Sequence, residues 1–237
     1  MPIREIRYRD HLHELTGALA WNDASAVARP GVLVVHGGAG LDVHARKQAQ
    51  RFADAGYVAF ACDMYGDAVR GNRERVMAEI NHLRADRSLL CSRATPAIDV
   101  LLSQPSADGR FAVVGYCFGG LVALELARSG LEAGGVVSVH GTLTTTQPVE
   151  AGAIRAPLLV CQGGADPHCS LQDALVFANE MKTVGANWEM VIYGHAMHGF
   201  THEDAAGQMA GVRYDADADA RSFGAIRAFL DRAIQFR

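Results

Sequence analysis

No block of five basic residues occurs in this 237-residue chain, and its 22 lysines and arginines are outnumbered by 26 aspartates and glutamates. The concentrated positive charge of a nucleic-acid footprint is missing, and with it an electrostatic address for a membrane surface. No apolar run reaches membrane-spanning length: the longest uncharged apolar stretch, Phe111 to Leu124, is too short and carries three glycines. The opening Met-Pro-Ile-Arg-Glu-Ile-Arg lacks the apolar core of a secretory signal. The five cysteines, at 62, 91, 117, 161 and 169, are odd in number and irregularly spaced, so reduced thiols in a cytoplasmic protein are expected. Disorder is excluded by the 49% apolar content, and no internal repeat or low-complexity tract is visible.

What is present is a succession of short apolar runs. Gly31-Val-Leu-Val-Val35, Tyr57-Val-Ala-Phe-Ala-Cys62, Phe111-Ala-Val-Val114, Gly135-Val-Val-Ser-Val139, Pro157-Leu-Leu-Val-Cys161 and Trp188-Glu-Met-Val-Ile-Tyr193 are of strand length. Most are continuous rather than alternating, as expected of strands covered on both faces of a parallel sheet. Helical patterns lie between them: Ala45 to Ala55 before Gly56, Leu121 to Arg128 before Gly130, Leu171 to Val184 before Gly185, and a C-terminal stripe of Phe223, Ile226, Phe229, Leu230 and Ile234. The alternation predicts one α/β domain over residues 1–237, a mostly parallel central sheet with helices on both faces and short antiparallel edge strands within residues 1–30. Residues 66–93 break the pattern with six arginines, at 70, 73, 75, 84, 87 and 93. They are expected either as a small insertion over the sheet's carboxyl edge, where α/β proteins bind ligands, or as a surface helix with solvated arginines.

The sharpest motif is Gly115-Tyr-Cys117-Phe-Gly119-Gly120, a strand running through glycine-x-nucleophile-x-glycine into an apolar helix. Such a strand-to-helix turn lifts its central side chain above the sheet edge, beside helix N–H groups that favour a thiolate or an oxyanion. The alternative is a buried core thiol, for which two flanking glycines would be a needless cost. An elbow nucleophile calls for an acid and then a histidine later in the chain. Asp166 follows the fifth apolar run and His198 the sixth; His198 would take the thiol proton and Asp166 would fix its tautomer. Gly37, in Val34-Val-His36-Gly-Gly-Ala-Gly40, and Phe118 are the expected oxyanion donors. A phosphate loop is not expected, because the G-x-G-x-x-G and G-K-S/T patterns are absent. His195, His198 and His202 invite a metal reading, but without a His-Glu-x-x-His helix no metal is expected.

These residues resemble the dienelactone hydrolases of the α/β-hydrolase fold. The likeness rests on the Cys117 motif, on Gly163-Gly-Ala-Asp166-Pro and on Gly194-His-Ala-Met-His198-Gly-Phe200, and extends to Cys62-Asp-Met-Tyr65-Gly, Tyr214, Arg221 and Ser222. It implies a Cys-His-Asp triad hydrolysing small esters or lactones without a cofactor; an acyl-thioester intermediate and a monomer or homodimer are expected beside it. Two positions depart from the pattern. The glutamate that assists thiol activation in chlorocatechol-pathway members is replaced by His36, and the arginine that binds their substrate carboxylate by His202. Arg73, Arg84 and Arg87 are then the candidates to line the site with positive charge. The competing expectation is a catalytically silent scaffold that binds a small molecule.

Overall fold

The computed structural model describes residues 3–23, 27–67, 69, 71–204 and 209–235; Arg70 lies outside them. Its strands are β1 (Ile3–Arg9), β2 (Glu14–Ala20), β3 (Arg29–Val35), β4 (Val58–Ala61), β5 (Ala107–Tyr116), β6 (Gly135–Val139), β7 (Leu158–Gly163) and β8 (Trp188–Tyr193). The helices are α1 (Val43–Asp54), α2 (Arg73–Ala85), α3 (Arg87–Leu102), α4 (Phe118–Arg128), α5 (Leu171–Val184) and α6 (Ala216–Gln235). The fold is α/β, and its strands are mostly parallel. The chain forms two compact units, one ending at Val114 and one beginning at Gly115.

In the first unit β1 and β2 form an antiparallel hairpin, β2 pairs antiparallel with β4, and β4 pairs parallel with β3. The antiparallel edge expected near the N-terminus is therefore there. β3 and β4 are continuous apolar runs because almost every residue in them is buried. Asp42 caps α1 by accepting the Ala45 N–H at 2.9 Å, and Asp86 caps α3 by accepting those of Ser88 and Leu89.

The arginine-rich segment is helical. α3 runs through Pro96, which obscures it in the sequence, and buries a stripe of Leu90, Arg93, Ala94, Ala97, Ile98 and Leu101. Arg93 lies on that stripe and is only 2% exposed. Its guanidinium pairs with Asp10 and with Glu79, the latter at 3.1 Å, and donates to the Met64 carbonyl at 2.7 Å. One arginine of this segment is thus neither solvated nor available to a ligand: it is a tie between the β1–β2 turn, α2 and the loop after β4.

In the second unit β6, β7 and β8 pair in parallel, with Val136 opposite Leu158 and Leu158 opposite Trp188. Helices cover both faces of β6. A side chain at Gly135 would meet Phe229 of α6, whereas one at Gly120 of α4 would meet Ser138, whose odd separation from Gly135 puts it on the opposite face. α5 carries a complete capping box between Ser170 and Asp173 and stops where Gly185 turns left-handed, as its sequence predicts.

Candidate active site

β5 delivers the chain directly into Cys117, and α4 starts at the next residue. The turn is tight enough that a Cβ on Gly115 would lie 1.8 Å from the Gly119 carbonyl oxygen, so only glycine fits. Cys117 itself is held at φ 54°, ψ −113°, a strained conformation for a residue with a side chain. Its N–H donates to the Val139 carbonyl at 3.0 Å and to His140 Nδ1 at 3.2 Å, which fixes the turn to the end of β6. The thiol residue is half-buried and sits at the positive end of α4.

Asp166 lies three residues past the end of β7, its side chain fully buried. One carboxylate oxygen accepts the backbone N–H groups of His168 at 2.8 Å and Cys169 at 3.1 Å. The other accepts the Gln162 amide at 3.0 Å and faces His198 Nδ1 at 2.9 Å. Since an ionised carboxylate can only accept, Nδ1 carries the proton and the imidazole presents Nε2 to Cys117 Sγ, 3.1 Å away. The His198 loop is pinned on both sides, its N–H donating to Gly211 and its carbonyl accepting from Arg213.

Burial works against a charge on His198, but the hydrogen bonds to Asp166 and Cys117 and the charges behind them outweigh it and raise its pKa to about 10. The shift favours a proton on the His198 ring nitrogen that faces Cys117 Sγ across 3.1 Å. Other thiols are pushed away from the thiolate form: burial raises Cys161 to about 12 and Cys169 to about 11, and burial beside Asp63 raises Cys62 further.

The structure thus brings Cys117, Asp166 and His198 into one relay and places Phe118 at the first position of α4. His202 is half-buried, its ring 5.6 Å from that of His140, which in turn lies 5.4 Å from the His198 ring. Gly37 and His36 are in the first unit. His36 is fully buried; its Nε2 accepts the Met64 N–H at 3.0 Å, so Nδ1–H donates to the Gly37 carbonyl at 2.7 Å. Both ring nitrogens are committed to shaping the loop that follows β3. Arg73 and Arg84 are exposed on α2, and Arg87 is half-buried in the first turn of α3. Among the described residues no group of three or more histidine, cysteine or carboxylate side chains could hold a metal ion. Two residues at the relay were not singled out from sequence, His140 and Gln162. Their signal is positional: each stands at or just past a strand's carboxyl end.

The dienelactone hydrolase family model matches residues 16–234. A solved structure titled m3DLH is 38% identical and superposes with a TM-score of 0.91, covering 98% of each chain. A dienelactone hydrolase-like promiscuous phosphotriesterase, P91 from metagenomic libraries, is 34% identical with a TM-score of 0.91 and the same 98% coverage of both chains. Carboxymethylenebutenolidase of Pseudomonas putida is 26% identical over 206 residues, 82% of this chain and 84% of its own.

Proposed function

The chain belongs to the dienelactone hydrolase family, hydrolases of ester and lactone bonds, and on that premise we propose that Cys117 is its nucleophile and that turnover passes through an acyl-thioester on that residue. The observation that carries the reading is the relay itself: Sγ to Nε2 at 3.1 Å and Nδ1 to carboxylate at 2.9 Å, at the head of α4.

The thiolate of Cys117 attacks the carbonyl carbon, and the carbonyl π-pair moves to oxygen. The Phe118 N–H at the helix start supports that oxyanion, with the Gly37 N–H as the second donor in this reading. Collapse of the tetrahedral adduct expels the alkoxide or enolate, which takes the proton from the His198 imidazolium. Neutral His198 then removes a proton from water, the hydroxide displaces the thiolate from the acyl carbon, and the imidazolium–thiolate pair is restored. Asp166 keeps Nε2 directed at sulfur in both halves of the cycle. A thiolate is a good leaving group, so a tetrahedral adduct carrying an enolate or aryloxide goes forward, whereas one carrying an amine tends to return. Activated esters and enol-lactones fit better than amides.

The reading further takes the enzyme as a single α/β-hydrolase domain in the cytoplasm, acting on a small molecule as a monomer or homodimer without a cofactor. All five cysteines are free thiols, which supports a reducing location, and no helix among the described residues is long and apolar enough to cross a membrane. The test is intact mass after brief mixing with an activated aryl ester: a single acyl adduct mapping to Cys117 is expected. Turnover without any adduct, undiminished in Cys117→Ala, would overturn the reading. The likeness to P91 favours a second, slower activity, in which the thiolate displaces an aryloxide from a phosphotriester. An aryl phosphotriester with the same leaving group tests it.

A further inference from the structure

We propose that His140 is a positioning residue for the nucleophile: its unprotonated Nδ1 and its ring hold Cys117 and His198 in register for thiolate formation. The proposal rests on the reading of Cys117 as nucleophile and adds a residue outside the triad.

His140 is fully buried, stands one residue past β6, and has φ 39°, in the left-handed region where a branched or bulky residue would be strained. Its backbone is held there from two sides. The His140 N–H donates to the Cys161 carbonyl at 2.8 Å, and the following Gly141 is pressed so close to α4 that a Cβ on it would lie 2.8 Å from Gly120 Cα. A conformation imposed in this way implies that the ring it delivers has a task.

The ring's contacts say what the task is. The Cys117 backbone N–H can only donate, so the Nδ1 that receives it at 3.2 Å must carry a lone pair. The proton therefore resides on Nε2, which donates to Thr201 Oγ1 at 2.8 Å. The Cys117 N–H thus selects the tautomer of His140, and Thr201 anchors the Nε2–H that results. The His140 ring also meets His198 edge-on at 5.4 Å and 62°, and Phe200 edge-on at 5.0 Å and 85°. One neutral imidazole thus touches both reacting groups: it holds the amide of the strained thiol residue and backs the ring that exchanges its proton. His140 has to stay neutral to do this, since a proton on Nδ1 would confront the Cys117 N–H and set a second cation beside the His198 imidazolium.

The experiment exploits the two amides that mimic one ring nitrogen each. His140→Asn returns an acceptor to the Nδ1 position and tolerates the left-handed backbone; His140→Gln extends its amide toward the Nε2 position instead. Thr201→Val is nearly isosteric and removes the tautomer's anchor without touching the histidine. For each variant two quantities are read: kcat and KM with an uncharged aryl ester, and the pH dependence of Cys117 alkylation by iodoacetamide, which needs no substrate. His140→Gln is expected to lose roughly 10–100-fold in kcat with KM little changed, the size of effect that misplacing a reacting group produces. Its alkylation midpoint should move to higher pH. Thr201→Val should move both readouts the same way by a smaller amount, and His140→Asn should recover to within about threefold of the parent. A purely structural histidine would lower the melting temperature and leave the alkylation midpoint in place. That outcome, an unmoved midpoint in Thr201→Val, or equal behaviour of the asparagine and glutamine variants overturns the proposal. Because Cys117→Ala tests the nucleophile separately, a dead Cys117→Ala beside indifferent His140 and Thr201 variants would reject this inference alone.

Discussion

Both units bury charged and polar groups, and the cluster around Arg93 in the first differs from the one around Asp166 in the second in what it leaves unfinished. In the first unit Arg93 is surrounded by acceptors: two carboxylates and a backbone carbonyl take up its guanidinium, and it is 2% exposed. Nothing there invites further reaction. In the second unit Asp166 is equally satisfied, with four hydrogen bonds to its two oxygens, but the chain of contacts ends at a half-buried thiol on a strained backbone. The same ingredients hold a fold together when every valence is met by protein, and under the proposed function they store reactivity when the last partner is a thiol.

The largest effect is expected at the thiol. Cys117→Ala should cost on the order of 10⁵-fold or more in kcat, as loss of a covalent nucleophile does, with an unchanged far-ultraviolet spectrum. Residual turnover within tenfold of the parent would show that the second cluster is as passive as the first. Asp166→Asn comes next: it keeps the shape but can hold His198 in the wrong tautomer, so a loss of about 10³–10⁴-fold in kcat is expected from steady-state kinetics.

Arg93→Met should do the reverse. It leaves Asp10 and Glu79 without their cation and is expected to destabilise the fold by about 3–5 kcal/mol in urea titration. The folded fraction should alkylate Cys117 at the parental rate, and a slowed rate would mean that the Arg93 cluster is not merely structural.

A smaller effect sharpens the contrast through pH. The His198 pKa is raised from 6.5 to about 10, so the stability it contributes is complete below pH 6.5 and is lost as the pH rises through about 10. The gap in melting temperature between the parent and His198→Gln should therefore shrink from neutral to alkaline pH. A gap that widens would contradict the imidazolium assignment.

The smallest expected effect concerns substrate charge. His202 stands where the resemblance places an arginine, a side chain that stays cationic at every working pH. An anionic dienelactone should therefore be favoured over an uncharged lactone of similar ring size by less than about a hundredfold in kcat/KM, or ~2.7 kcal/mol. A larger preference would point to a cationic anchor, with Arg73, Arg84 and Arg87 the first to replace.

Much of the second unit's organisation is legible in the chain because local sterics enforce it. β6 and β8 lie where their apolar runs predict, Gly185 stops α5, and the glycines around Cys117 announce a turn that tolerates little else. The arginine-rich segment is far less legible. Arg93 looks like its five neighbours in sequence, and only its phase on the stripe from Leu90 to Leu101 separates it, a phase obscured by Pro96 within the helix. His36 stands where the resemblance places a glutamate, and nothing in the sequence shows that its ring lies between the Gly37 carbonyl and the Met64 N–H.

The α/β alternation and the glycine-flanked elbow are set by the sequence alone, since each depends on residues within one turn or one strand of each other, and the order of Cys117, Asp166 and His198 is read directly along the chain. Tertiary structure alone decided which contacts are made across 81 residues from Cys117 to His198, across 61 from His140 to Thr201 and across 83 from Asp10 to Arg93. Those contacts fix the proton on His198, the anchoring of the His140 ring and the burial of one arginine among six. A side chain's charge state is set by the groups that surround it, and those groups are assembled only when the chain folds.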